Sequence, residues 1–173
     1  MRKIIIIGTL HAGITPKNEL KKYLDYAKPD QVLVEIAEAD LRRDRLDSYP
    51  TEMVYALNWA RKRNILVNGF DCSLNTLRKG MTADDNQRVI REQKKLMKDL
   101  TWKDLNKSRN LKKLNTASAK KLVDPEKEKR REIGMFRNIQ KTMIEKGTIL
   151  ILTGCGHLNF FEKHIKEANF PLR

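Results

Sequence analysis

Crosslinking chemistry is almost absent from this sequence: cysteine occurs twice in 173 residues, at Cys72 and Cys155. Two cysteines do not make a disulfide framework, so a small crosslinked scaffold is excluded and reduced thiols are expected. Long apolar runs are absent too. No stretch approaches the roughly 18 apolar residues of a membrane span. The run Ile4 to Ile7 is too short for the apolar core of a secretory leader, and no small-residue cleavage site follows it. These absences predict a soluble, cytoplasmic protein. Acidic residues are outnumbered, 22 against 36 Lys and Arg, for a net charge of +14.

At 173 residues the chain is long enough for one domain with a core, 1–173, and too short for two. The basic excess is concentrated. Between Arg88 and Arg131 there are 16 Lys and Arg and 6 Asp and Glu. Segment 88–131 is therefore the candidate surface for an anionic partner, nucleic acid or an acidic surface, with a solvated helical face as the plainer alternative. Within 82–123 the one aromatic is Trp102, which speaks against stacking on single strands there, though sequence-independent phosphate attraction stays open.

Two similar segments organise the chain. Ile4–Ile7 runs into Gly8-Thr9-Leu10-His11, and Ile149–Leu152 runs through Thr153 into Gly154-Cys155-Gly156-His157. Four to eight apolar residues cut off by Gly predict a strand buried on both faces. Further strands are predicted over 31–36 and 65–70. Leu20, Tyr23, Leu24 and Ala27 predict a helix that Thr15 would cap and Pro16 would open. Pro50-Thr51 opens another, marked by Met53, Ala56, Leu57 and Ala60, and Asp124-Pro125 opens a third that runs to about Lys146. The last helix is expected over 158–168. The order β-α-β-α-β predicts an α/β fold: a mainly parallel sheet of about four or more strands flanked by helices, in two similar halves, with basic helices over 82–123 projecting from the sheet.

The four predicted strands end at His11, Glu35, Asp71 and His157. In an open parallel sheet that edge binds ligands. Two imidazoles with one or two carboxylates form a ligand set for divalent Zn, Mn, Co or Fe. His11, His157 and Glu35 are the expected ligands, with Asp71 as a candidate fourth. Glu35 or Asp71 could steer a water, and Arg131 could steady an oxyanion or simply pair with a carboxylate. Glu52 would orient a ligand histidine. A Cys72–Cys155–His11–His157 zinc site and a nucleophilic Cys155 are the alternatives. His164 reads as a surface residue.

At these residues the chain resembles the TraB/PrgY/Tiki superfamily, related to the ChaN and erythromycin-esterase-like folds. The resemblance rests on the two Gly-x-x-His motifs with Gly8 and Gly154, and on Lys28-Pro29-Asp30-Gln31-Val32-Leu33-Val34-Glu35. It also rests on Glu52, Asp71 and Arg131-Glu132-Ile133-Gly134-Met135. It spans most of the chain outside 82–123. Cys72 stands where the family often has Arg, and Glu132 where it has Asn or Asp. The resemblance implies a divalent-metal-dependent hydrolase (Mn, Co or Zn) acting on a peptide-like or ester substrate. The rival expectation is a binding module whose basic helices engage an anionic partner, and a homodimer covering the site is a third.

Overall fold

Ile4, Ile5, Ile6 and Ile7 are all buried, although successive residues of a strand face opposite ways. Both faces of the sheet must therefore be covered, and the computed structural model of the protein shows how. It describes residues 1–11, 13–72, 100–114 and 125–173, with a few isolated positions between 82 and 98. Five parallel strands form one sheet in the order β3-β2-β4-β1-β5. They are β1 (Arg2–Thr9), β2 (Gln31–Ala37), β3 (Leu66–Asp71), β4 (Gly147–Gly154) and β5 (Ala168–Asn169). The helices whose bounds are described are α1 (Lys17–Ala27), α2 (Glu38–Arg42), α3 (Thr51–Arg61), α4 (Ser108–Leu114), α5 (Pro125–Thr142) and α6 (Leu158–His164).

The handedness of parallel crossovers explains the layers. The chain steps from β1 to β2 to β3 in one direction, so α1 and α3 lie on one face; it then returns to β4, so α5 lies on the other. Ile5, Ile7, Val32, Val34, Leu150 and Leu152 pack under Leu20, Leu24, Met53 and Leu57 of α1 and α3. Ile4, Ile6, Leu33, Ile149 and Ile151 pack under Met135 and Ile139 of α5 and Phe161 of α6.

That topology fixes where a site can form. β1 and β4 are neighbours, with Gly8 opposite Thr153 and Thr9 opposite Gly154. The chain leaves β1 toward one face and β4 toward the other. Their carboxyl ends thus bound a crevice at a switch point, the usual ligand position in open α/β sheets.

Several boundaries differ from expectation. α5 stops at Thr142, short of Lys146, because the Gln31 side chain takes over its end: Gln31 Nε2 donates to the Thr142 carbonyl (2.8 Å) and Ile144 N–H donates to Gln31 Oε1 (3.0 Å). The last helix ends at His164, and Ala168–Asn169 instead pair with Ile4 and Ile5 on the outer side of β1. Thr15 does not cap α1; its hydroxyl donates to the Leu10 carbonyl and accepts from the Leu10 N–H, closing the His11 loop. Part of 82–123, including 115–123, and the Asp124 cap lie outside the described residues. Within 100–114, Trp102, Leu105 and Leu111 are buried against the sheet layers. Among the described residues no helix is long and apolar enough to cross a membrane.

Candidate functional site

Glu35 lies at a register shift of β2 between Val34 and Ala37, the kind of irregularity that re-aims a side chain at a sheet rim. It is buried, and its oxygens divide the work. Oε2 accepts from the Gly154 N–H (2.6 Å) and the Thr153 hydroxyl (2.8 Å), and Oε1 accepts from Arg131 Nη2 (2.7 Å). Burial pushes this carboxyl up, but His157 and Arg131 hold it well below the usual carboxylate range.

Arg131 arrives on α5. Its guanidinium grips Asp71 in a two-point fork, Nε to Oδ1 and Nη2 to Oδ2, each 2.9 Å. Asp71 also accepts from the Cys72 N–H (2.7 Å). Asp71 was expected to bind metal or steer water; its oxygens are committed to Arg131 and backbone, so its place is to hold the guanidinium. Nη1 of Arg131 points at His157 Nε2 (3.2 Å).

His157, on the short 3-10 turn after β4, is ringed by acids. Nδ1 is 3.0 Å from Glu132 Oε1, and Nε2 is 3.5 Å from Glu128 and 3.6 Å from Glu35. Burial works against charge on this ring, yet Glu35 and Glu132 outweigh it and push its pKa up to about 10.

His11 stands on the other bank. Its Nδ1 is 2.7 Å from Oε1 of Glu52, which lies in the first turn of α3. The Glu52 carboxylate and the His11 ring are thus in direct contact. Glu52 is buried; Oε1 also accepts from the Thr9 hydroxyl (3.4 Å), while Oε2 has no partner among the described residues. Burial lowers the His11 pKa, and the bond to Glu52 with the nearby Glu35 more than reverses it. His11 Nε2 is 3.0 Å and Glu35 Oε2 3.5 Å from where a Cβ on Gly154 would stand. Gly154 thus leaves room for an imidazole nitrogen beside a carboxylate. Gly8 is equally constrained: a Cβ there would meet Leu158 at 2.6 Å and Asn106 at 2.9 Å.

The expected metal set of His11, His157 and Glu35 is not the one whose atoms converge. Among the described residues the group with ligand atoms all within 4.8 Å of one another is Glu128, Glu132 and His157. Glu35 makes the difference, since Arg131 takes its Oε1 and the Thr153 hydroxyl and Gly154 N–H take its Oε2. Glu128 and Glu132 are four residues apart and so share a helix face. That spacing, opposite the second Gly-x-x-His, was the signal that could have found them. The donor set suits a divalent cation. The charge balance suits it as well: with His157 neutral, as a ligand must be, Arg131 and a protonated His11 face five carboxylates, a net of −3. The cysteines take no part in this group. Cys155 is buried, which pushes its thiol up to about 12 and makes it a poor nucleophile. Cys72 Sγ turns toward the Arg131 carbonyl. His164 is on the surface as expected, stacked on Phe160.

One further residue supports the crevice. Asn106, buried, bonds both the N–H and the carbonyl of Gly8 at 2.9 Å. Compared with protein families, curated proteins and solved structures, the chain finds no match, so its own geometry carries the functional reading.

Proposed function

We propose that this chain is a divalent-metal-dependent hydrolase of the TraB/PrgY/Tiki kind, cleaving an amide or ester bond in a peptide-like substrate. The observation that carries the reading is the pair of banks at the β1–β4 crevice. On one, His11 is oriented by buried Glu52, with Nε2 facing Glu35 across the space Gly154 leaves. On the other, His157 stands with Glu128 and Glu132.

Glu128, Glu132 and His157 would hold the metal, which when bound lowers the pKa of a coordinated water and polarises a carbonyl. The rest falls to the chain. Glu52 keeps the His11 ring in the tautomer with Nδ1–H inward, leaving Nε2 to take a proton from water and later return it to the leaving group. Glu35 favours the proton on His11 electrostatically. Arg131, locked by Asp71, supplies a fixed positive charge beside the crevice, where an oxyanion would develop.

The test uses untagged protein. Metal content is measured first, followed by hydrolysis of peptide and ester libraries with added Mn, Co or Zn. Glu128→Gln with Glu132→Gln should abolish metal binding, whereas His11→Ala should keep the metal and lose turnover. Less than about a tenth of an equivalent of metal after reconstitution, with no hydrolysis, overturns the reading.

A further inference from the structure

We propose that the groove along the contact of α1 and α3 binds single-stranded nucleic acid. Two adjoining cavities, about 570 Å³ and about 300 Å³, share Trp59 and Arg63 as a common wall. Together they make an open, shallow cleft lined by residues of α1 and α3. It uses none of the site residues His11, Glu35, Arg131 and His157.

The charge of the cleft is cationic and spread out. Lys17, Lys21, Lys28, Lys62 and Arg63 line it, against Asp25 and Asp47. Asp25 is already engaged, by Lys21 at 2.5 Å and by the Trp59 Nε1–H at 3.2 Å. Lys17, Lys28 and Lys62 make no ion pair among the described residues. From Lys17 to Lys28 the helix rises about 16 Å, at about 1.5 Å per residue. That length spans about five stacked nucleotides at about 3.4 Å each. A compact anion would need charges converging on a point; these form a line.

The wall between the cavities supplies a stacking surface. The Arg63 guanidinium lies 4.5 Å over the Trp59 ring and donates to the Trp59 carbonyl at 3.2 Å. A flat cation fixed on an aromatic ring offers its outer face to an unpaired base, and Tyr55 stands in the same cleft. A base inside a duplex could not reach it. An acidic membrane is disfavoured for want of an apolar face. Large exposed apolar side chains among the described residues are confined to Met1, Tyr26 and Leu66, too few for an inserting face.

The test is fluorescence anisotropy with labelled twelve-nucleotide oligothymidine and oligouridine, between about 50 and 200 mM salt. The variant Lys17→Glu/Lys28→Glu/Lys62→Glu should lose about a hundredfold in affinity, with the log–log salt slope shallower by about 2, as three phosphate contacts require. A control with the same charge change elsewhere, Lys3→Glu/Lys163→Glu/Lys166→Glu, should lose under about threefold. Tyr55→Leu should lose about tenfold without changing the slope. Photocrosslinking of bromouridine strands to the unaltered chain needs no variant and should label peptides containing Tyr55 or Lys62. Equal losses in both triple variants overturn the proposal. So do crosslinks confined to 88–131, no binding at about 50 mM salt, or groove-dependent binding to acidic vesicles in place of oligonucleotide.

Discussion

Gly8 and Asn106 exchange two hydrogen bonds: the Gly8 N–H donates to Oδ1 and Nδ2–H donates to the Gly8 carbonyl, each 2.9 Å. The exchange copies what a neighbouring strand would offer. It is needed because β5 pairs only with Ile4 and Ile5, leaving the end of β1 without a strand on that side. A side-chain amide has one donor and one acceptor in the right places, and few other residues do.

Asn106→Asp is therefore expected to destabilise more than its small size change suggests. The carboxylate still accepts from Gly8 N–H but faces the Gly8 carbonyl with a second acceptor. An unmet buried backbone group costs about 1–3 kcal/mol. Urea unfolding of the variant should register a loss of that order, and an unchanged midpoint would remove the strand-substitute role.

The two motif glycines should fail differently. Alanine at Gly8 meets the buried Leu158 side chain and the Cys155 backbone, so Gly8→Ala should cost about 1–3 kcal/mol of stability by overpacking. Alanine at Gly154 meets the His11 ring, whose side chain is 41% exposed and can yield. Gly154→Ala should leave the unfolding midpoint nearly unchanged but shift the His11 titration followed by NMR. The reverse pattern would contradict the placement of the two loops.

Much of this arrangement was legible beforehand. The unbroken Ile4–Ile7 run, followed by Gly, specified a strand covered on both faces, and the β-α-β order specified parallel pairing. The strand ends gave His11, Glu35, Asp71 and His157 a common edge. What stayed illegible depended on a residue arriving from a distant helix. Arg131 claims Asp71 and stands between Glu35 and His157, and no strand pattern announces that. Asn106 was missed for the same reason: its partner is backbone, so no side-chain pattern marks it. Glu128 and Glu132 were readable as one helix face, but only the structure sets that face against His157.

Stability should peak in mildly acidic solution when metal is chelated. The Glu35 carboxyl is held below its ordinary 4.5, so its contribution is present above that value and lost as pH falls through the folded pKa. His157 is raised from 6.5 to about 10, so its contribution is full below 6.5 and lost as pH rises toward 10. The urea midpoint should be highest between about pH 4.5 and 6.5 and decline on both sides. Glu35→Gln should flatten both limbs, because each partner's shift depends on that carboxylate. A midpoint that climbs steadily into the alkaline range would show that the two groups are not coupled.

Glu52 offers the sharpest separation of function from folding. Its side chain is 1% exposed, and one oxygen lacks any partner among the described residues, an arrangement that costs stability. Glu52→Gln keeps the shape and removes the charge. The amide can still accept from His11 Nδ1–H, so the ring stays in place, but the pull that raises its pKa is gone. NMR titration should show the His11 pKa falling below that of the parent protein. Urea unfolding should show no loss of stability, since a buried charge with an orphan oxygen has been replaced by a neutral group. Metal affinity, set by Glu128, Glu132 and His157, should hold within about threefold, while hydrolysis falls about a hundredfold, in the range of a general base losing its partner. If stability collapsed along with turnover, Glu52 would be a structural carboxylate and the His11 bank would lose its claim to proton transfer.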